Sequence, residues 1–135
     1  MTKILSIGNS FSQDATRYLQ QIAAADGHPL FARNLMIGGC SLERHAGNVR
    51  SGAADYEYQE DASSGPACSI QDGLRAEDWD IVTVQQVSHL AGLYETYAPF
   101  LGEVLAEVRR LAEIFEEMWR GGADTVARLD SRVRE

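Results

Sequence analysis

KILSIGNSFSQ, residues 3–13, reads as a short buried strand, a tight turn and the first residues of a helix. Ile4, Leu5 and Ile7 make the strand apolar, Gly8-Asn9 breaks it, and an amphipathic pattern begins at Gln13. Ser10 falls in the turn, where a hydroxyl points out of a sheet at the N-terminus of a helix. Free backbone N–H groups and the helix dipole favour negative charge there. A nucleophilic serine needs such a place, because acyl transfer builds an oxyanion beside the attacking oxygen. The same letters also spell a capping box, Ser10-x-x-Gln13, in which Ser10 only satisfies an amide of the first turn. The local pattern leaves both readings open.

Working outward, Gln13 to Asp26 is expected as one helix, with Ala15, Tyr18, Leu19, Ile22 and Ala25 at helical spacing and Gly27 and Pro29 as its stop. Leu30 to Ile37 is the second strand. Strand, helix, strand in so few residues implies a βαβ unit with parallel strands. Gly38-Gly39-Cys40-Ser41 closes the second strand. Ligand crevices in parallel sheets lie beyond the carboxyl ends of the strands, so this loop and the Ser10 turn should share one edge. A short helix over Leu42–Val49 follows, then a long surface excursion over 51–67 with a short strand at Tyr56–Tyr58. Ser69–Glu77 should form a helix feeding the strand Trp79–Gln86, β-branched at Ile81, Val82, Thr83 and Val84. That strand delivers Gln85, Gln86, Ser88 and His89 to the same edge. From Tyr97 the period becomes helical: Tyr97, Phe100, Leu101, Val104, Val108, Leu111, Phe115, Met118 and Trp119 fall on one stripe that Gly121-Gly122 ends. Asp124 is placed to cap a last helix with Val126, Leu129 and Val133 on one face.

The 135 residues suit one domain, with a core over 1–96 and a helical part over 97–135. A composition 44% hydrophobic and 24% charged is ordinary for a globular chain. A net charge of -8 argues against nucleic acid or an anionic membrane surface as partner. Cys40 and Cys68 belong to no CxxC or Cys/His cluster, so free thiols are expected, with no metal and no cofactor. The chain enters its first strand at once and no apolar run approaches the roughly 20 residues of a membrane span. A cytoplasmic location is the expectation, a leader removed beforehand being invisible to the sequence.

Three strand-end loops thus bring Ser10, Gly39 and Gln85/Gln86 toward one place. Ser10 can attack, a glycine lets backbone approach closely, and a side-chain amide adds a donor. In this the sequence resembles the SGNH/GDSL hydrolase superfamily, in particular a bacterial subgroup that opens with an I-G-N-S-F-S segment. GNSFS at 8–12 looks like the first block, IGGCSLERH at 37–45 the second and WDIVTVQQVSHLAG at 79–92 the third. The resemblance covers roughly residues 3–105. It implies a three-layer αβα fold with a flavodoxin-like parallel sheet, here shortened and followed by helices. It implies Ser10 as the nucleophile, an oxyanion hole of Ser10, Gly39 and Gln86, and a small acyl, O-acetyl or sugar ester as substrate. Gln85 and His89 are the alternatives to Gln86, because the family has an asparagine in that block.

The family's late D-x-x-H pair, which supplies the general base and its orienting carboxylate, has no match. The three histidines are His28, His45 and His89, and the residues three before them are Ala25, Leu42 and Gln86. His45 and His89 stand at the right edge to serve as a substitute base. Without a base the serine is weakly nucleophilic, so a degenerate, ligand-binding member of the fold is the alternative. A shortened sheet would also leave an open edge, which a homodimer through that edge or through the C-terminal helices would cover.

Overall fold

The structure is a computed structural model that describes residues 1–120, with side chains described through residue 116. The Gly121-Gly122 stop and the helix expected after Asp124 lie outside the described residues. The chain folds as a mixed α/β unit. Strand β1 (Thr2–Gly8) leads to helices α1 (Ser10–Thr16) and α2 (Leu19–Ala25), then β2 (Leu30–Met36) and α3 (Leu42–Ser51). A hairpin of β3 (Tyr56–Gln59) and β4 (Ala67–Cys68), α4 (Ile70–Arg75), β5 (Ile81–Val84) and the long α5 (Phe100–Arg120) complete it.

The sheet runs β4-β3-β2-β1-β5. Its core is parallel, with β1 between β2 and β5 and Ile7 opposite both Leu35 and Val84. The expectation of a wholly parallel sheet is corrected at its other side. There β3 lies antiparallel to β2, pairing Tyr58 with Leu35, and β4 antiparallel to β3. Within the excursion expected over 51–67 the short strand expected at Tyr56–Tyr58 is present as β3, and with β4 it makes that side of the sheet, Tyr56 being only 1% exposed.

Side chains alternate across a strand, and this sorts the helices onto two faces. Leu5, Ile7 and Leu35 form the main core with Ala46 of α3, Ile70 and Leu74 of α4, and Val104 and Leu111 of α5. Gly73 of α4 lies so close that a Cβ there would be 2.6 Å from the Leu35 side chain. The opposite face carries Ser6 and Asn34, which meet α1 through Ser12. Helices on both faces of one sheet are compatible with a three-layer α/β fold.

The single helix expected over Gln13–Asp26 is two. Thr16 Oγ1 donates back to the carbonyl of Ser12 (2.7 Å), a local bond that competes with helix continuation, and the chain turns at Arg17-Tyr18. The second piece is thereby rotated. Gln20 faces the sheet and its Oε1 accepts from the N–H of Ala32 (2.8 Å), while Tyr18 and Ile22, expected inside, are 60% and 66% exposed. From Phe100 on, the C-terminal stripe behaves as its period implies, with Val104 and Leu111 buried; Tyr97 instead ends the short 3-10 turn Tyr94–Thr96, and the side chains of Met118 and Trp119 lie outside those described. No helix among the described residues is long and apolar enough to cross a membrane.

Candidate active site

Ser10 is the first residue of α1, one position beyond the N-cap. The cap is Asn9, so the box expected at Ser10 and Gln13 is shifted by one. Asn9 Oδ1 accepts from the N–H of Phe11 (2.9 Å), and the N–H of Asn9 donates to Ser12 Oγ (3.0 Å). Relieved of capping, Ser10 is exposed, and neither its N–H nor its hydroxyl takes up a hydrogen bond among the described residues.

The turn is clamped to the sheet on both sides of Ser10. Gly8 has no space for a side chain, since a Cβ would lie 1.9 Å from Ser12 Oγ. Ser12 Oγ donates to the carbonyl of Asn9 (2.9 Å) and accepts from Nδ2 of Asn34, whose amide also donates to the Ser6 carbonyl (3.2 Å). Asn9, Ser12 and Asn34 are 1%, 5% and 1% exposed. Sequence reasoning singled out none of these three. The usable signals were asparagine's strength as an N-cap, with Ser12 at the N3 position, and a lone amide inside the apolar run LFARNLMI.

The second loop is a tight turn closed by a bond from the N–H of Cys40 to the carbonyl of Ile37 (3.2 Å). Gly39 sits in it at φ +65°, exposed, a conformation that favours glycine. This loop is tied to the Ser10 turn, because Asn9 Nδ2 donates to the carbonyl of Cys40 (3.4 Å). The third loop is tied to the same residue by Gln85, whose Nε2 donates to Asn9 Oδ1 (2.5 Å).

Gln86 is placed differently from Gln85. It is 7% exposed, and its Oε1 accepts from the N–H groups of Leu42 and Val87, each at 2.9 Å. Its Nε2 donates to the carbonyl and hydroxyl of Thr96 (3.2 and 3.1 Å). The amide is fully occupied in joining α3 to the loop after β5, so Gln85 stands nearer the oxyanion role expected of Gln86. Beyond it that loop lines an open apolar groove of about 740 Å³ with Ala91, Tyr94, Tyr97, Pro99 and Leu101.

The two histidines part company as well. His89 is exposed in a short 3-10 turn, Ser88–Leu90, just past β5. His45, expected at the loop edge, is instead 0% exposed on the inner face of α3. Its Nδ1 is 2.8 Å from the Tyr56 hydroxyl and 3.5 Å from Cys40 Sγ, and its ring stacks on Tyr56. Burial, helped by the Arg44 guanidinium, pushes its pKa down to about 4, and burial lifts the Cys40 thiol to about 11. Both groups are neutral at pH 7 and closed to solvent. Cys40 and Cys68 are free, and the described residues contain no cluster of ligands able to hold a metal ion.

The model of the DUF4886 family, a domain of unknown function, matches residues 3–119. The chain belongs to the DUF4886 family. A solved DUF4886 protein, from Bacteroides uniformis, is similar to it with 40% identity and a TM-score of 0.75. That match covers 81% of this chain and 44% of the other, so this chain spans less than half the length of that relative. No curated protein matches it. The DUF4886 match begins at the first residues of β1 and runs through α5, and so takes in all three loops around Ser10.

Proposed function

We propose that this DUF4886 chain carries an SGNH-type serine ester hydrolase site on a flavodoxin-like three-layer fold, with Ser10 as nucleophile. One observation carries the reading. Ser10 is exposed, its hydroxyl takes up no hydrogen bond among the described residues, and its neighbour Asn9 is hydrogen-bonded to both other strand-end loops, at Cys40 and Gln85. The three sequence blocks that resemble the superfamily thus have a physical junction.

In this reading Ser10 Oγ attacks the ester carbonyl carbon while its proton leaves to His89, the exposed histidine of the third loop. The oxyanion accepts hydrogen bonds from the N–H groups of Ser10 and Gly39 and from the second N–H of the Gln85 amide. Collapse breaks the bond to the alcohol, which takes the proton, and water then hydrolyses the acyl-serine. The substrate is a small-molecule ester of an acyl group, an O-acetyl group or a sugar. No orienting carboxylate for His89 is found among the described hydrogen bonds, so turnover is expected to be slow. The limiting case is a folded, ligand-binding member with no turnover.

Labelling with a fluorophosphonate tests this directly, since it reports a nucleophilic serine without a known substrate. The expected result is one adduct, mapped to Ser10 and lost in Ser10→Ala. Absence of a Ser10 adduct under forcing concentrations would leave only the ligand-binding form.

A second reading concerns assembly. Among the described residues β5 is the last strand of the sheet order, Ile81 is 48% exposed, and Ile-Val-Thr-Val carries none of the charges or prolines that guard edges. We infer that a second copy pairs along β5 across a two-fold axis.

A further inference from the structure

Asn9 is fully enclosed, and every polar group it owns is engaged. Its Oδ1 accepts from the N–H of Phe11 (2.9 Å) and from Gln85 Nε2, and its Nδ2 donates to the carbonyl of Cys40 (3.4 Å). Its own carbonyl accepts from Ser12 Oγ (2.9 Å) and the N–H of Gln13 (3.0 Å). One side chain therefore touches α1, the Gly39 turn and the end of β5, and it is covalently next to Ser10.

The chemistry of these contacts specifies an amide. Two partners are donors and one is a carbonyl, so the side chain must accept and donate at once. A carboxylate accepts only, an alcohol has one short oxygen, and alanine does neither. A cap alone would ask less, because aspartate and serine cap as well as asparagine does. The additional donor to Cys40 is what a cap does not need.

We propose that Asn9 is the positioning residue of the site, fixing the Gly39 turn and Gln85 relative to Ser10. The proposal rests on the serine hydrolase reading, but its structural half is measurable without it. Asn9 works through others and does not touch the reacting atoms. Its Nδ2 bond sets where the Gly39 N–H points, and its Oδ1 bond directs one Gln85 N–H away and leaves the other to project. Loss of the Cys40 bond should free the turn without melting α1, which is capped by the oxygen.

Asn9→Asp separates the two roles, and Asn9→Ala removes both. In the full chain labelled with 15N, exchange of the Cys40 amide, which closes the turn on the Ile37 carbonyl, is read beside the exchange of α1 and the rate of Ser10 labelling by fluorophosphonate. In Asn9→Asp we expect the Cys40 amide to exchange at least ten-fold faster, α1 to exchange as in the parent, and labelling to slow at least ten-fold. Asn9→Ala should show the same losses plus faster exchange in α1. Unchanged turn exchange in Asn9→Asp overturns the proposal whatever the labelling does. Faster exchange with an unchanged labelling rate overturns it too, since the turn would then not matter to Ser10. A parent protein that never labels sinks the hydrolase reading alone, and the exchange data still decide whether Asn9 holds the loops. Should Asn9→Asp unfold, the comparison passes to Asn9→Ser, which keeps a small capping acceptor but cannot reach both loops.

Discussion

The side-chain carbonyl of Gln86 accepts a hydrogen bond from the backbone N–H of Leu42, the first residue of α3, at 2.9 Å. The adjacent Gln85 is directed to the other side of the strand and meets Asn9. Two neighbouring amides with the same chemistry are thus divided by strand alternation between a structural and a site position.

Replacing each glutamine by leucine should separate those positions. Gln86→Leu strands the buried N–H groups of Leu42 and Val87 and should cost about 2–4 kcal/mol, given roughly 1–3 kcal/mol for each orphaned buried group. Gln85→Leu should cost about 1 kcal/mol or less, as expected for a half-buried bond, while slowing the labelling of Ser10. Urea unfolding and labelling rates on both variants give the answer, and equal stability losses would refute the division.

Gly8→Ala should destabilise by overpacking, since the new methyl would lie 1.9 Å from Ser12 Oγ and 2.7 Å from its Cβ. The expected loss is about 1–3 kcal/mol. Ser12→Gly in the same chain removes the clashing atoms, so the double variant should be more stable than the sum of the two single losses. Strict additivity in urea melts would show that the crowding is not the cause.

Much of this arrangement is legible in the sequence, and the failures have physical reasons. The apolar stripes of β1, β5 and α5 repeat at one clear period, so their elements and their burial could be read. Thr16 was not legible as a helix stop, because its back-bond to Ser12 is one local contact against a continuing apolar pattern. The exposure of Tyr18 and Ile22 follows from that break. β3 and β4 are short, four and two residues; β3 was legible from Tyr56 and Tyr58, whereas β4 owes its existence to pairing with β3, which no local pattern encodes. In the site, residue type marked Ser10 and Gly39. Type alone could not choose between Gln85 and Gln86, or between His45 and His89, because burial makes those choices.

Gly39 and Gly52 offer a matched pair of controls. Both are exposed at positive φ, +65° and +69°, and a Cβ at either would meet nothing within 4 Å. Alanine at each position should therefore cost a similar amount, about 1–2 kcal/mol of left-handed strain. Gly52 ends α3 away from the three loops, so only Gly39→Ala should also slow Ser10 labelling. Equal labelling in the two variants would remove Gly39 from the site.

Ile81→Lys tests the edge pairing of β5. A lysine at a position already 48% exposed should leave the monomer's stability within about 0.5 kcal/mol, as surface substitutions do, and a charge at the edge should block strand addition. Sedimentation should give a dimer for the parent chain at high concentration and a monomer for the variant. A parent that remains monomeric throughout ends the pairing idea.

The buried His45 should make the fold sensitive to mild acid. Its pKa is held at about 4, against an ordinary 6.5, chiefly by burial. Between those values the unfolded chain binds a proton that the folded chain refuses, so stability rises with pH across that window. The contribution is fully present above pH 6.5 and is lost as the pH falls toward 4. The gap, at about 1.4 kcal/mol per pH unit, comes to about 3 kcal/mol. Carboxylates also titrate in acid, so the comparison is with His45→Gln, which does not titrate and still offers the Tyr56 hydroxyl an acceptor. Urea unfolding at pH 7, 6, 5 and 4.5 should show the parent losing stability more steeply than the variant, with the two curves converging as acid is added. Parallel curves would mean that His45 takes up its proton in the folded state as readily as in the unfolded one, and that its enclosure beside Tyr56 and Cys40 does not persist in solution.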